Sequence, residues 1–294
     1  MKKLLLIISV LFLGTAISFS DEYINPWYVS LDKFQVLDSA YLKCTFRLTH
    51  VTDSLNADKT RETDMQTLLI GKRISKYFSQ YMVDHCKYAK DNMKKGSEYD
   101  YCPINPEKGT YGYEIFKNYP VNKLTVTDLG SKVGAEAVGS NYLYEDALNS
   151  QKWEIKSDTS TILSYPCQKA ITTFRGRVYE AWFTTDIPIN NGPWKFGGLP
   201  GLILKISDKK QYFVFECKGI EKLKIMEPIK FYDLKYIKID RRDLDKLYQR
   251  RHNDQVAYSN ANGFKGQSLV IYANGDSKEV KHWPKQPYNP IELK

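Results

Sequence analysis

From residue 41 onward, apolar and polar side chains alternate far more often than they recur at spacings of three and four. Leu42, Cys44, Phe46 and Leu48 fall on one face of an extended stretch over 41–51, with Lys43, Thr45 and Arg47 on the other. That period of two is the mark of a half-buried strand. Similar stretches follow over 65–73 and 74–79, joined near Gly71, and shorter ones over 124–129, 141–144 and 152–155. Residues 161–165, 169–174 and 178–184 predict an antiparallel run that turns at Arg175-Gly176-Arg177. Residues 202–207 and 212–218 predict a hairpin turning at Asp208-Lys209-Lys210, and 231–239 a further strand. Helical spacing is scarce. Asp240 is placed to cap a helix from Arg241, with Leu244, Leu247 and Tyr248 on one side, ending before Asn260-Ala261-Asn262-Gly263. A second, weaker helical pattern covers 81–93.

Many strands and few helices make the chain mainly β. The expected architecture is a curved antiparallel sheet, half-barrel-like, with one or two helices, similar in pattern to periplasmic lipoprotein carriers; the alternative is a β-sandwich. No Gly/Ser/Pro-rich linker or internal repeat divides the chain, so residues 21–294 are expected to form one β-rich domain.

The first 20 residues read differently. Lys2 and Lys3 precede an apolar core over 4–13, and Ser18 and Ser20 have the spacing of a signal-peptidase site. The apolar run is shorter than the about 20 residues needed to cross a bilayer. An exported chain starting at Asp21 is therefore expected, with no transmembrane segment in its mature form. The periplasm is the expected compartment, with outer-membrane association or release from the cell as alternatives.

Loss of the two leader lysines lowers the formal net charge from +9 to +7. The basic residues are dispersed among acids without a stripe, so nucleic acid is not an expected partner. An exported chain permits disulfides, and Cys86 and Cys102, which flank the polar stretch 87–101, are the candidate pair. Cys167 and Cys217 sit in strand-like segments and are expected to be buried. The four histidines are scattered, and no zinc-binding spacing, nucleophile elbow, phosphate loop or dinucleotide fingerprint occurs. No metal, cofactor or catalytic residue is implied.

The most distinctive stretch runs from Cys167 to Cys217. Its words are Phe174-Arg175-Gly176-Arg177, Tyr179-Glu180-Ala181-Trp182-Phe183, Ile187-Pro188, Gly192-Pro193-Trp194-Lys195-Phe196-Gly197 and Gly198-Leu199-Pro200-Gly201-Leu202-Ile203. In this order they resemble the GLPGLI family of small exported bacterial proteins. The resemblance implies an export compartment and no particular reaction. Read physically, prolines and glycines make 187–201 an ordered loop crossing an edge or mouth of the sheet. Trp194, Phe196 and Leu199 are then either plugs of the open end or the rim of a ligand cavity, with Trp182 on the strand beneath. Arg177 and Glu180 stand where a hairpin can pair them, as a structural ion pair or as part of a site for an anionic or peptide ligand. The leading expectation is a non-enzymatic binder of an apolar ligand or an envelope protein partner. The alternatives are an envelope hydrolase using paired carboxylates, such as Glu180 with Asp186, and a structural accessory to an outer-membrane transporter.

Overall fold

The computed structural model of the chain describes residues 31–84, 112–128, 141–261 and 285–294, together with 6–7, 87, 269–271, 277–279 and 281–282. The strands of its main sheet are β1 (Phe34–Val51), β2 (Arg61–Gly71), β3 (Ser75–Ser79), β4 (Tyr113–Lys117), β5 (Lys123–Asp128) and β6 (Asn141–Ala147), then β7 (Glu154–Ile162), β8 (Tyr165–Phe174), β9 (Arg177–Thr184), β10 (Leu202–Asp208), β11 (Phe213–Tyr232) and β12 (Tyr236–Lys238). Their order across the sheet is β12-β6-β5-β4-β3-β2-β1-β11-β10-β9-β8-β7. Two meanders are thus joined through the antiparallel pair β1–β11, while β12 pairs with β6 in parallel. Leu6–Ile7, Leu269–Ile271 and Ser277–Glu279 form a separate three-stranded sheet.

Connectivity forces this sheet to curl. β7 lies at one end of the order and β6 next to the other, ten strand positions away, yet only residues 148–153 join them. A flat sheet would hold them about 50 Å apart at ~4.8 Å per strand. The link reaches no further than about 25 Å when fully extended. The two ends are in fact tied together: Trp153 Nε1 donates to the Gly197 carbonyl at 2.7 Å, and Arg175, in the β8–β9 turn, reaches Asp146 of β6 at 2.6 Å. The result is the expected half-barrel-like curve, one open sheet rather than a sandwich.

The concave face carries the main core. Cys44, Phe46 and Leu48 of β1 line it, as the alternation predicts, with Leu68, Tyr77, Ile115 and Val126 beyond them. Phe196, Leu199, Phe213 and Phe215 fill the other half. A second cluster lies on the convex side. β1 and β11 are 18 and 20 residues long, and register shifts at Cys217/Gly219, Lys222/Glu227 and Ile229/Lys230 bend them. Their far halves fold back over β3 and β4, so Phe231 meets Phe116 at 5.1 Å although four strand positions separate β11 from β4. Beneath them Lys76 and Glu114 form a buried ion pair at 2.7 Å.

α1 (Arg241–Asn253) starts as expected, with Asp240 accepting from the Arg242 N–H, but stops at Asp254, where α2 (Gln255–Ala261) begins. Leu244 of α1 is buried in the concave core, which seats the helix across the mouth of the curve. The expected 161–165 strand is instead a two-residue turn, Leu163 and Ser164 both taking positive φ, between a longer β7 and β8. Residues 80–84 are helical; the rest of the 81–93 pattern lies outside the described residues apart from 87. So do Cys86, Cys102 and, apart from Leu6–Ile7, the first 20 residues, expected to be a leader. Arg175 and Gly176 form the β8–β9 turn, with φ of 49° and 83°, the left-handed pair that a tight hairpin requires.

Gly201 tests how closely the loop is packed. A Cβ there would lie 1.9 Å from the Thr184 carbonyl oxygen, so backbone proximity excludes a side chain. At Gly219 a Cβ meets nothing within 4 Å. Gly201→Ala should therefore lose about 3 kcal/mol or more, the upper range of overpacking, while Gly219→Ala should stay within about 1 kcal/mol of the wild type. Urea unfolding of the two variants checks the contrast.

Candidate functional site

The loop between β9 and β10 turns inward. Leu202 N–H bonds the Ile187 carbonyl and Ile203 N–H the Asn191 carbonyl, each at 3.0 Å, so the loop pairs with its own exit strand. Phe196 is fully buried, with Tyr179 at 4.8 Å, Trp194 at 5.0 Å and Phe215 at 6.1 Å. Trp194 takes φ = 49°, unusual for a bulky residue, and this turns its ring against Phe174 and Phe196. Lys117 of β4 holds the loop from within: its Nζ donates to the Gly192 and Phe196 carbonyls at 2.7 and 2.6 Å. Burial pushes this ammonium down to about 7.

Above the loop, at the mouth of the curve, is a cleft of about 290 Å³. The sheet supplies His50, Tyr113, Asp128 and Tyr144, and the loop supplies one side of Trp194. α1 presents Arg241, Leu244, Asp245, Tyr248 and Arg251, at spacings of three and four that set them on one helical face. Residues 287–292 form the remaining wall. Tyr248 donates its phenolic hydrogen to buried Asp128, and Tyr288 donates to Asp245 at 2.5 Å. Burial, reinforced by the negative charge of Asp128, pushes the Tyr248 and Tyr113 phenols well above their ordinary range, and burial pushes Tyr144 up to about 12. These phenols are hydrogen-bond donors throughout the physiological range. His252 packs on Tyr288 with ring centroids 4.5 Å apart, tilted by 40°, and donates from Nδ1 to the Tyr248 carbonyl. Burial holds it below the usual imidazole range.

One buried charge network underlies the cleft. Lys195 Nζ lies 3.0 Å from Asp146 and 2.7 Å from Glu292, and Arg241 reaches Glu292 at 3.1 Å. Burial would lower the Lys195 ammonium, but Tyr144, Glu292 and Asp146 hold it above the ordinary lysine range. Among the described residues, no group of three or more His, Cys, Asp or Glu side chains is arranged to hold a metal ion.

The structure brings Trp194, Phe196 and Leu199 together inside the curve, with Trp194 also facing the cleft. Trp182 and Glu180 lie on the opposite, convex face. There Glu180 pairs with Lys169 at 2.9 Å, and Lys169 sits over the Trp182 ring. Arg177 points inward, 6% exposed, and bonds Asp208 rather than Glu180. Strand parity accounts for this, since positions 177 and 180 differ by an odd number. Cys44, Cys167 and Cys217 are buried free thiols. The motif reading missed Asp128, Tyr113 and the 285–294 wall, which long-range pairing brings together. The α1 periodicity pointed to Tyr248.

A family model described as the N-glycanase peptide, N-terminal domain matches residues 122–262, which contain Asp128, Tyr144, Trp194 and α1. Among solved structures, two crystal forms of PNGF-II, in space groups P21 and C2, are similar to this chain at 16% identity, with TM-scores of 0.46 and 0.45. The matches cover 71% and 70% of this chain and 32% of each PNGF-II chain, so the chain spans about a third of those proteins. A search of curated proteins returns no match.

Two outcomes follow from this packing. Trp194→Ala should cost about 3–5 kcal/mol, as for other buried tryptophans, measured by thermal or urea unfolding. Lys117 should make stability depend on pH. An unfolded lysine titrates near 10.4, so between pH 7 and 9 the unfolded chain binds more protons than the folded one. Stability then rises with pH, by at most about 1.4 kcal/mol per unit from this group, and is flat in this respect below about 7. The stability difference between wild type and Lys117→Met, from urea unfolding at pH 6 to 9, should therefore grow in favour of the wild type above pH 7.

Proposed function

We propose that the chain is an exported, non-enzymatic binding domain whose cleft takes a polar, ring-bearing ligand of the carbohydrate type. The observation that carries this reading is the composition of the cleft: Tyr113, Tyr144, Tyr248 and Tyr288 beside Asp128 and Asp245. Aromatic side chains offer flat apolar surface with a polar handle, and carboxylates accept from hydroxyl groups, a pairing suited to sugar rings. A carrier of apolar molecules needs an empty apolar interior, and here Phe196, Leu199, Phe213 and Phe215 occupy it. The word N-glycanase in the description of the partly matching family agrees with a glycan ligand. The leader and the ordered words from Cys167 to Cys217 support an exported protein of the GLPGLI type.

Asp128 and Asp245 share the cleft, the arrangement a carboxylate hydrolase would need, but each already accepts a tyrosine hydroxyl, which suits holding a ligand rather than releasing a proton.

The test is titration with soluble oligosaccharides and, separately, with a fluorescent apolar probe, followed through tryptophan emission. Saturable oligosaccharide binding is expected, weakened about tenfold or more by Asp128→Asn through loss of a charged acceptor. Probe uptake without oligosaccharide binding would restore the apolar-ligand reading. Cleavage of the oligosaccharide during the titration would replace binding with hydrolysis.

A further inference from the structure

The wall formed by residues 285–294 is seated like a bound peptide. Its main chain bonds other main chain through Gln286 N–H to the His252 carbonyl at 2.6 Å and Leu293 N–H to the Arg175 carbonyl at 2.8 Å. Its middle is gripped by side chains. Arg177 donates to the Pro290 carbonyl at 2.6 Å, the Ile291 carbonyl at 3.1 Å and Asn289 Oδ1 at 2.8 Å, while Asp208 holds the guanidinium from behind at 3.3 Å. Tyr179 donates its hydroxyl to the Ile291 carbonyl at 3.2 Å. Asn289 Nδ2 donates to the Val51 carbonyl at 2.7 Å, so both ends of this amide are used. Ile291 packs on the concave core, and Glu292 meets Lys195 and Arg241. Arg177 and Lys195 are each more than nine-tenths buried.

Each grip matches a feature of the segment. A carboxamide at 289 satisfies one donor and one acceptor. A proline at 290 presents a carbonyl, has no N–H to leave unpaired, and limits the conformational freedom lost on docking. An aliphatic side chain at 291 fills the core's edge, and an acid at 292 neutralises buried cations. Side chains from several elements reading the carbonyls and side chains of a docked segment are how folded domains recognise peptides.

We propose that the mouth of the sheet is a peptide-recognition site for a segment of the pattern Asn-Pro-aliphatic-acid, and that residues 289–292 occupy it in cis as a displaceable strap. This stands on the buried contacts of Arg177 and Lys195 and does not depend on which ligand the cleft takes. A tethered segment competes at an effective concentration of order millimolar, so the wild-type site is closed to an added peptide until its own strap is weakened.

The full chain carrying Asn289→Ala and Glu292→Arg keeps every residue of the seat. A fluorescein-labelled peptide of residues 287–294 should bind this variant at least about tenfold more tightly than the wild-type chain, where the strap competes. The same peptide with Glu292→Arg should not bind. Failure of the folded variant to bind the peptide, or equal binding of both peptides, would overturn the proposal. Native-state hydrogen exchange on the wild-type chain gives a second reading that needs no variant. Amides of 286–294 should open together at a denaturant dependence well below that of β9 and β10. Exchange of these amides only through global unfolding would equally overturn it.

Discussion

A sheet curled by a short link must close its two ends against each other, and in this chain a buried ammonium does so. Lys195 lies in the loop between β9 and β10, Asp146 on β6 and Glu292 in the segment crossing the mouth. Three parts of the chain far apart in sequence thus share one cation at 2% exposure. Removing one partner from such a group leaves a buried charge uncompensated, a loss of about 3–5 kcal/mol. The network therefore discriminates strongly between the closed arrangement and any other, although buried ion pairs of this kind often add no more stability than an apolar cluster of equal volume. Arg175 and Arg241 extend it to the β8–β9 turn and to α1, so the elements around the cleft are positioned by the same charges.

The loop that carries Lys195 is built to allow this. Gly201 lets its exit strand pass against the Thr184 carbonyl, and Gly198, at φ = 88°, lets the chain reverse beside Trp153. Between these points the side chains of Trp194, Phe196 and Leu199 fill what would otherwise be the opening of a half-barrel. Lys117 meets the loop from the opposite strand and binds its carbonyls without a carboxylate. The loop is thus bound at two cations of different character. Lys195 is stabilised by counter-charges, whereas Lys117 bears the cost of burial with neutral acceptors.

Much of the fold was legible because half-buried strands announce themselves locally. The alternation from Leu42 to Leu48, the Arg175-Gly176 turn and the Asp240 cap each depend on neighbours in sequence. The inward course of the loop was not legible, because Trp194, Phe196 and Leu199 present the same pattern whether they plug a core or ring a cavity. Strand parity alone placed Trp182 and Glu180 on the face away from Arg177, which reading them as one cluster overlooked. The cleft was hidden for a deeper reason. Asp128, Tyr248 and Tyr288 are separated by more than a hundred residues at their extremes and meet only through the sheet order. No local period encodes that meeting.

The convex face and the mouth of the sheet treat charge in opposite ways. Across β8 to β1 it carries a lattice of exposed and half-exposed charges, in which Lys169 pairs with Glu180 and Glu216 is shared by Lys218, Lys205 and Arg47. Hydrogen bonding by those cations draws the Glu216 carboxyl down to about 2, so this shared carboxylate stays ionised at any physiological pH. Such surface pairs add little stability, but they keep a wide antiparallel face hydrated and poorly suited to docking apolar or aromatic surfaces. At the mouth the arrangement reverses. The charges are buried and mutually neutralised, and tyrosine rings with bound carboxylates face the cleft. Desolvation has there already been met by the fold, so a ligand that replaces water against Tyr113 and Tyr248 finds donors and acceptors held in position.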